Sequence, residues 1–249
     1  MSYSTLALTL IFLVIPLVLS KALHLDLEKD TIIATFRSII QLLAVGFILK
    51  FVFSSDSLFY TLLMILLMIF TATLNARKKG QPIHGITWKL LLTFFVVEIV
   101  TLSILLGFHI VPATAQYIIP LSGMSIGSSM ILCILFLNRF ISEVASSKEQ
   151  IELILSLGGT PKQAVHHQLL AAIKTSMLPT IEAQKTIGLV QLPGMMSGQI
   201  IAGADPIQAV QFQLLILFML LSTTAISSAL LGFLSYPTLF NKHMQMIKN

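Results

Sequence analysis

Long runs of apolar residues constrain this chain more than any other feature of its sequence. A membrane-spanning helix needs about 20 mostly apolar residues, and seven windows of that kind follow one another: 3–20, 32–53, 57–76, 89–108, 117–138, 186–204 and 208–234. Charged residues make up only 10% of the sequence, whereas a soluble domain carries about 25%. The sequence therefore predicts an all-α, polytopic integral membrane protein of the cell membrane, with one transmembrane domain over residues 1–249.

The distribution of basic residues predicts how the spans are oriented. If the seven spans alternate in direction, all of the 15 Lys and Arg residues except Arg37 and Lys50 lie on one side. Cytoplasmic loops carry such an excess, so we expect the N-terminus outside and the C-terminus inside. No basic residue precedes the first apolar run, which favours an uncleaved first span over a signal peptide. Because the positive charge follows the topology, we expect no binding of nucleic acid.

Several sequence patterns of enzymes are missing from the chain. It contains no Walker A sequence, no HExxH, no CxxC pair and no Gly-x-Ser-x-Gly. The single cysteine, Cys133, excludes an internal disulfide and lies in an apolar run, where a packing role is typical. We therefore expect no enzymatic chemistry in this chain, and transport or scaffolding remains.

Three polar side chains interrupt the apolar windows. Glu98 lies near the middle of the fourth window, where an acidic residue costs about 2.5–3.5 kcal/mol on insertion scales and normally faces a cavity or a partner. Arg37 and Gln41 lie four residues apart in the second window and therefore share one helix face. One interpretation is a polar translocation path with Glu98 as a cation-attracting or protonatable site. The alternative is an Arg37–Glu98 ion pair, or an Arg37 side chain that snorkels to the membrane surface.

Two apolar segments contain the GxxxG pattern, which lets helix backbones approach closely. It occurs in "PLSGMSIGSSM" and in "LPGMMSGQI", each time behind a proline. The pattern predicts a tightly packed centre, which an interface between two copies of the chain could form. Pro193 is expected to break its helix, and Asp205-Pro206 to mark the turn before the last span. The candidate helix-packing residues are Gly123, Gly127, Pro193, Gly194, Gly198 and Gly203.

Residues 139–185 are more polar and predict a cytoplasmic helical hairpin. Gly158-Gly159 can end its first helix in the left-handed conformation of a C-cap. The next residues suit a helix start, with Thr160 as the N-cap, Pro161 at the first position and Gln163 closing a capping box. A rigid hairpin of this kind can dock a cytoplasmic partner. The alternative is an amphipathic hairpin that lies on the bilayer.

Several segments together resemble one family, the FetB-like permeases, which also includes plant aluminium-tolerance permeases. The similar segments are "FRSIIQLLAVGFIL", "PLSGMSIGSSM", "IELILSLGGTPKQAV" and "GLVQLPGMMSGQIIAGADPIQAVQFQ". The step from Glu152 to Gly158 also matches the EAAxxxG loop that docks ATPase subunits onto ABC permeases, although Leu153 and Ile154 replace its alanines. Ser128 stands where the family usually has Asn, which makes any contact at that position shorter.

The resemblance implies a half-size ABC permease that pairs with itself and with a separate cytoplasmic ATPase. ATP would then act through the partner, and this chain would need no cofactor of its own. The family resemblance implies export of a metal ion, iron; alternatives are ABC export of a nucleotide sugar and a proton-coupled secondary transporter using Glu98. The expected ATPase-coupling residues are Glu152, Gly158, Gly159, Thr160 and Pro161. The candidate path residues are Arg37, Gln41, Glu98, Met195, Met196 and Gln199.

The methionines give no independent support for iron. A thioether is a soft ligand that suits Cu(I), whereas Fe(II) prefers nitrogen and oxygen ligands. Met195 and Met196 are at least as well explained as flexible packing residues. Which metal the chain handles is therefore unknown from the residues alone.

Overall fold

The computed structural model of the protein describes residues 9, 11–55, 57–80, 83–241 and 244–246. These residues form helices joined by short turns, with two 3₁₀ turns at Arg77–Lys79 and Tyr236–Leu239. The α-helices are α1 (Ile11–Ala22), α2 (Glu28–Ser55), α3 (Leu58–Ala76), α4 (Ile86–Gly107), α5 (Ala115–Ser146), α6 (Lys148–Ser156), α7 (Pro161–Ala164), α8 (His166–Thr186), α9 (Gly194–Ile201) and α10 (Pro206–Ser235).

Five of these helical segments are long and apolar enough to cross a membrane, which confirms the prediction of an all-helical, polytopic protein. They are Glu28–Ser55, Leu58–Lys79, Ile86–Gly107, Ala115–Ser146 and Pro206–Leu239, and each contains or overlaps one of the predicted windows. The window 3–20 falls partly outside the described residues, and α1 covers positions 11–20 of it. The predicted orientation of the spans stays a prediction.

The chain divides into two compact units, one up to position 56 and one from Ser57 onward. In the first unit, α1 and α2 meet at a polar turn, where the Ser20 hydroxyl donates to Glu28 Oε1 at 2.7 Å. The same hydroxyl accepts from the Leu27 N–H at 3.1 Å, which holds the turn closed. Helix α2 is apolar on all sides and exposes nearly every side chain within this unit. The prediction of a single domain over 1–249 stays a prediction.

Helix α5 forms the centre of the second unit, because α3, α4, α8 and α10 all pack against it. Its buried face includes Phe136 and Phe140, whose rings stack with centroids 5.3 Å apart. Cys133, one turn before Phe136, is fully buried in the same cluster. Its predicted place among apolar packing residues is therefore confirmed.

Gly232, on α10, lies where α10 closely approaches α5 and α8. A Cβ atom placed there would lie 2.8 Å from Leu169 Cδ1 on α8 and 3.2 Å from Phe136 Cζ on α5. Only a residue without a side chain fits at such a distance without displacing its neighbours. Gly232 therefore lets three helices meet at one point.

The window 186–204 is not one helix, and whether this discontinuous segment crosses the membrane stays a prediction. Helix α8 ends at Thr186, and the Thr186 carbonyl accepts hydrogen bonds from the backbone N–H groups of Leu189, Val190 and Gln191 at 3.0–3.3 Å. Gly188 takes a positive φ of 86°, which a glycine adopts without strain. Pro193 then serves as the N-cap of the short α9. The prediction that Pro193 breaks the helix is confirmed, and together with Gly188 it explains why the window is discontinuous.

The predicted hairpin over 139–185 has the expected order of helix, turn and helix, but its second helix is not separate from the bundle. Helix α5 continues to Ser146 before α6 begins, and α8 packs against α5 and α10. The buried side chains of α8 are Gln168, Leu169, Ala172 and Ser176. Two of these side chains are small, so α8 can lie close to its neighbours.

Candidate functional site

Glu98 forms the most unusual polar contact in the described chain. It lies on α4 in the interior of the second unit, with only 3% of its surface exposed. The Ser125 hydroxyl of α5 donates a hydrogen bond to Glu98 Oε2 at 2.7 Å, while Oε1 has no hydrogen-bond partner. The Ser122 hydroxyl faces the same carboxyl without a hydrogen bond of good geometry. A buried carboxyl group is thus held by hydroxyl groups.

The serines of this site form one face of α5. Ser122, Ser125 and Ser129 are each completely buried and follow the spacing of three and four residues that aligns side chains along a helix. Ser122 and Ser129 lack hydrogen-bond partners among the described residues. The sequence did not single out these three serines, because the GxxxG pattern of Gly123 and Gly127 is the more familiar motif in the same segment. The signal was nevertheless present in the helical spacing of the hydroxyl residues.

Most other buried hydroxyl groups nearby are satisfied within their own helices. Thr101 donates to the Val97 carbonyl at 2.8 Å, and Ser227 donates to the Thr223 carbonyl at 2.6 Å. Serine and threonine commonly make this local bond in apolar surroundings. The Ser125 hydroxyl differs because it reaches across to another helix. The α4–α5 contact at Glu98 is therefore a specific polar junction.

The site offers oxygen ligands only. A carboxylate and hydroxyl groups suit protons and hard cations. Among the described residues, no group of three or more His, Cys, Asp or Glu side chains lies close enough together to hold a metal ion.

The predicted path residues of α9 lie beside an apolar cluster and make no hydrogen bond to Glu98 among the described residues. Met195, Met196 and Gln199 are half-buried, and α9 packs against α10. Met195 contacts an apolar cluster that includes Leu121 of α5. Leu121 directly precedes Ser122, which faces the Glu98 carboxyl group, so this cluster adjoins the Glu98 junction. No contact joins Met195 or Met196 to the carboxyl group among the hydrogen bonds of the described residues.

Arg37 and Gln41 lie in the first unit, one turn apart on α2, and both are exposed there. Their shared helix face agrees with the spacing. Their place on a translocation path and the alternative Arg37–Glu98 ion pair both stay predictions.

The glycines of the two GxxxG patterns do not mark close approaches within the chain. A Cβ on Gly123 would lie 3.8 Å from Met68 Cε, which is an ordinary contact, and one on Gly127, Gly194 or Gly198 would meet nothing within 4 Å. Gly203 has a φ of 93° in the turn after α9. Packing of these glycines against a second copy stays a prediction.

The turn between α6 and α7 has the predicted caps. Gly158 has a φ of 86°, and the Gly159 N–H donates to the Ile154 carbonyl at 2.9 Å, which closes the end of α6. The Thr160 N–H donates to Gln163 Oε1 at 2.9 Å, and the Gln163 N–H donates to Thr160 Oγ1 at 3.4 Å. This is the predicted capping box, with Pro161 at the first helical position.

The tip of this turn is exposed while its base is anchored. Ile151 of α6 and Val165 after α7 are fully buried in the main core. Glu152, Gly158 and Thr160 are exposed. Glu152 and Gly158 also line a cavity of about 720 Å³, whose other wall is formed by residues 244–246. The geometry is that of a rigid, accessible protrusion.

Comparison with known proteins places the chain among relatives of the same length. Residues 3–240 match the family described as "Uncharacterised protein family (UPF0014)". The chain belongs to this family. It is 53% identical to "UPF0014 membrane protein YjkA" of Bacillus subtilis over 249 residues, which is 100% of both chains. No solved structure matches it.

More distant relatives carry functional names. The chain is 38% identical over 243 residues to "Probable iron export permease protein FetB" of Escherichia coli, which covers 98% of this chain and 94% of that one. It is 29% identical over 240 residues to "Protein ALUMINUM SENSITIVE 3" of Arabidopsis thaliana, which covers 96% of this chain and 88% of that one. The resemblance to the FetB-like permeases is thereby confirmed. The chain is a membrane permease of this family.

Proposed function

We propose that this chain is the membrane subunit of an ABC transporter that exports a metal ion, iron, from the cell. The observation that carries the proposal is the 38% identity, over 98% of the chain, to a relative named as an iron export permease. A separate cytoplasmic ATPase would supply the energy. Two copies of the chain in the cell membrane would each bind one copy of the ATPase.

The α6–α7 turn is the proposed contact with the ATPase. Its exposed tip can contact the ATPase, and its buried base can transmit a movement of the tip to the helices behind it. The capping box holds Thr160 and Gln163 in one geometry, and Gly158-Gly159 fixes the direction of the turn. A movement of the turn would act on α5 through α6 and on α8 through α7. These two helices pack against each other and against α10.

The Glu98 junction is the proposed cation site of the path. Carboxylate and hydroxyl oxygens can hold a hard cation, and the site lies between two of the helices long enough to span a membrane. Met195, Met196 and Gln199 would line an adjoining part of the path. Their half-buried packing gives the methionines a structural role that needs no metal.

A second candidate is a secondary transporter that couples substrate movement to protons through Glu98. The observation that favours it is the buried carboxyl with an unpaired oxygen, since intramembrane carboxyl groups serve as proton relays. ABC export of a nucleotide sugar is a third possibility. These three candidate functions predict different results in a single transport assay with reconstituted liposomes.

The test is reconstitution of the chain in liposomes with and without a separate ABC ATPase subunit from the same organism. We expect Fe²⁺ to stimulate ATP hydrolysis and ATP to drive Fe²⁺ transport only when both subunits are present. Glu98→Gln should abolish the Fe²⁺ stimulation while the protein still inserts into the membrane. Glu182→Gln is the matched control, because that carboxylate is about 60% exposed and pairs with Lys185 on the surface of α8.

Three results would overturn the proposal. Transport driven by a proton gradient without the ATPase would favour the secondary transporter. Stimulation by a nucleotide sugar and not by Fe²⁺ would favour the third possibility. Full Fe²⁺ stimulation in Glu98→Gln would remove Glu98 from the path.

A further inference from the structure

The proposed function does not account for how a negative charge on the buried Glu98 carboxyl group would be balanced. The carboxyl group is almost completely buried, and one of its two oxygens has no hydrogen-bond partner. The groups that face it are the hydroxyls of Ser122 and Ser125. Hydroxyl groups are neutral, so they cannot balance a negative charge.

The ionisable groups on the surrounding helices are too far away to balance that charge. Helix α4 packs against α3, α5, α10 and the basic 3₁₀ turn Arg77–Lys79. This turn ends seven residues before α4 begins at Ile86, and Ile86 is about 18 Å along the helix axis from Glu98. Helix α10 has no ionisable side chain at all. Lys89 of α4 lies nine residues from Glu98, which is about 13 Å along the helix axis. The Lys89 Nζ donates to Thr238 Oγ1 at 2.6 Å, away from the carboxyl group.

The remaining ionisable groups on these helices do not change this result. Arg139 of α5 lies about 21 Å along the helix from Ser125 and forms an ion pair with Glu143 at 2.6 Å. The other ionisable side chains on the helices packed against α4 are of types that carry no positive charge; they are Tyr60, Tyr117, Cys133 and Glu143. No described side chain of the second unit brings a positive charge to Glu98.

An ionised carboxylate without a counter-charge is strongly unfavourable in a buried, apolar setting, whereas a protonated carboxyl group is neutral. We propose that Glu98 carries a proton while α4 and α5 are packed as in this structure, and that it releases the proton to water only when the two helices separate. Opening of the α4–α5 contact then creates the negative charge. Closing it again requires either the proton or a bound cation at the same oxygens.

This inference adds a proton to the transport cycle. A cation that enters the opened junction displaces the proton to water. Fe²⁺ would displace one proton and keep one positive charge, which an anionic ligand carried with the ion, such as hydroxide, would balance. ATP-driven movement of the helices would control when the exchange takes place. The protonation of Glu98 in the closed state stands without the proposed function, whereas its release during the ATPase cycle rests on it.

Infrared spectroscopy of the purified protein in lipid nanodiscs at neutral pH tests the closed state. We expect a carbonyl band of a protonated carboxyl group in the wild-type protein and complete loss of that band in Glu98→Gln. Ser125→Ala should shift the band, because it removes the hydrogen bond to Oε2. Ser129→Ala is the matched control, since this buried serine makes no hydrogen bond to Glu98 and should leave the band in place.

Glu98→Asp keeps the inference testable if Glu98→Gln fails to fold, because a retained carboxyl group should give a shifted band. A wild-type spectrum without any protonated carboxyl band would overturn the inference. It would mean that Glu98 is ionised, as an Arg37–Glu98 ion pair would require. A band that persists unchanged in both Glu98 variants would also overturn it.

Transfer into D₂O tests the release of the proton. The deuterium shift of the Glu98 band should be slow for the permease alone and much faster when the ATPase and ATP are added. Complete exchange of the permease alone within the mixing time would show that the junction is open to water and would overturn the occluded site. If the band is present but no ATPase accelerates its exchange, the closed-state inference holds and the proposed ATPase coupling fails.

Discussion

Gly232→Ala should destabilise the bundle, although alanine favours helices. The added methyl group would lie 2.8 Å from Leu169 Cδ1, 3.2 Å from Phe136 Cζ and 3.5 Å from Phe136 Cε2. Carbon atoms in contact prefer about 3.5–4.0 Å. Phe136 is fully buried and Leu169 is 2% exposed, so the Leu169 methyl group would have to turn away within a packed core.

The magnitude follows from two opposing terms. Overpacking of a core by a methyl group costs about 1–3 kcal/mol, while replacing a helical glycine by alanine returns about 0.5–1 kcal/mol. The net effect is a loss of about 1 kcal/mol, since the steric term is the larger. For a chain of this size, a loss of 1 kcal/mol lowers the melting temperature by about 2–4 °C.

The chain contains its own reporter for this measurement. Cys133 is the single cysteine and is fully buried, so a thiol-reactive dye should label it only as the protein unfolds. Heating the detergent-solubilised protein with such a dye gives an apparent melting temperature for each variant. Gly127→Ala is the matched control, because a Cβ on this α5 glycine would meet nothing within 4 Å. We expect it to leave the melting temperature unchanged or raise it.

A Gly232→Ala variant that melts at or above the wild-type temperature would refute the reasoning. Combining Gly232→Ala with Leu169→Ala provides a second check, because removing the clashing atoms should make the double variant more stable than the sum of the single effects. Strictly additive losses would show that the contact at Leu169 does not cause the destabilisation. A large loss in Gly127→Ala would instead indicate that this glycine packs against a second copy of the chain.

Three further predictions concern the caps and the cysteine. Thr160→Ala should cost about 1 kcal/mol by removing the capping box, and should lower ATPase stimulation in the reconstituted system. Thr114→Ala is its control, because Thr114 is the N-cap of α5 but makes no side-chain cap bond; equal effects would contradict the capping argument. Asp205→Ala should lower the free energy of unfolding by about 1 kcal/mol, because Asp205 Oδ1 accepts from the N–H groups of Ile207 and Gln208 at 2.9 and 3.1 Å. An unchanged melting temperature in the dye assay would contradict this prediction. Cys133 in the folded protein should resist a membrane-permeant maleimide, and mass spectrometry that shows rapid labelling at room temperature would contradict its burial.

Local features of the chain were predictable from the sequence. The apolar windows located five long helices, because the preference of a segment for lipid depends on the sum of its residues and on its length. The Gly158–Gln163 turn was also predictable, since its caps involve neighbours only three residues apart. In both cases the residues that determine the structure are adjacent along the chain.

The predicted span at 186–204 is discontinuous in the structure. Its average hydrophobicity is that of a span, but Gly188 and Pro193 change the backbone direction within it. The side chains of Leu189 and Val190 are 90% and 83% exposed in the single chain. An average over residues does not register such a change of direction.

Contacts between helices could not be predicted in the same way. Sequence reasoning selected Glu98 by its cost in the membrane but could not identify Ser125 as its partner. It selected the glycines of the GxxxG patterns, whereas a close approach occurs at Gly232. Which residues meet depends on how each helix is rotated and where it crosses its neighbours, and neither quantity is a property of a single segment.

The sequence by itself thus determined that this chain is an all-helical membrane permease of a known family and where its capped turn lies. The tertiary structure decided that α4 and α5 bury a carboxyl group among serine hydroxyls and that α5, α8 and α10 meet at Gly232. The physical reason is that hydrophobicity and capping act over a few neighbouring residues. Burial of one specific side chain against another is settled only when distant segments pack together.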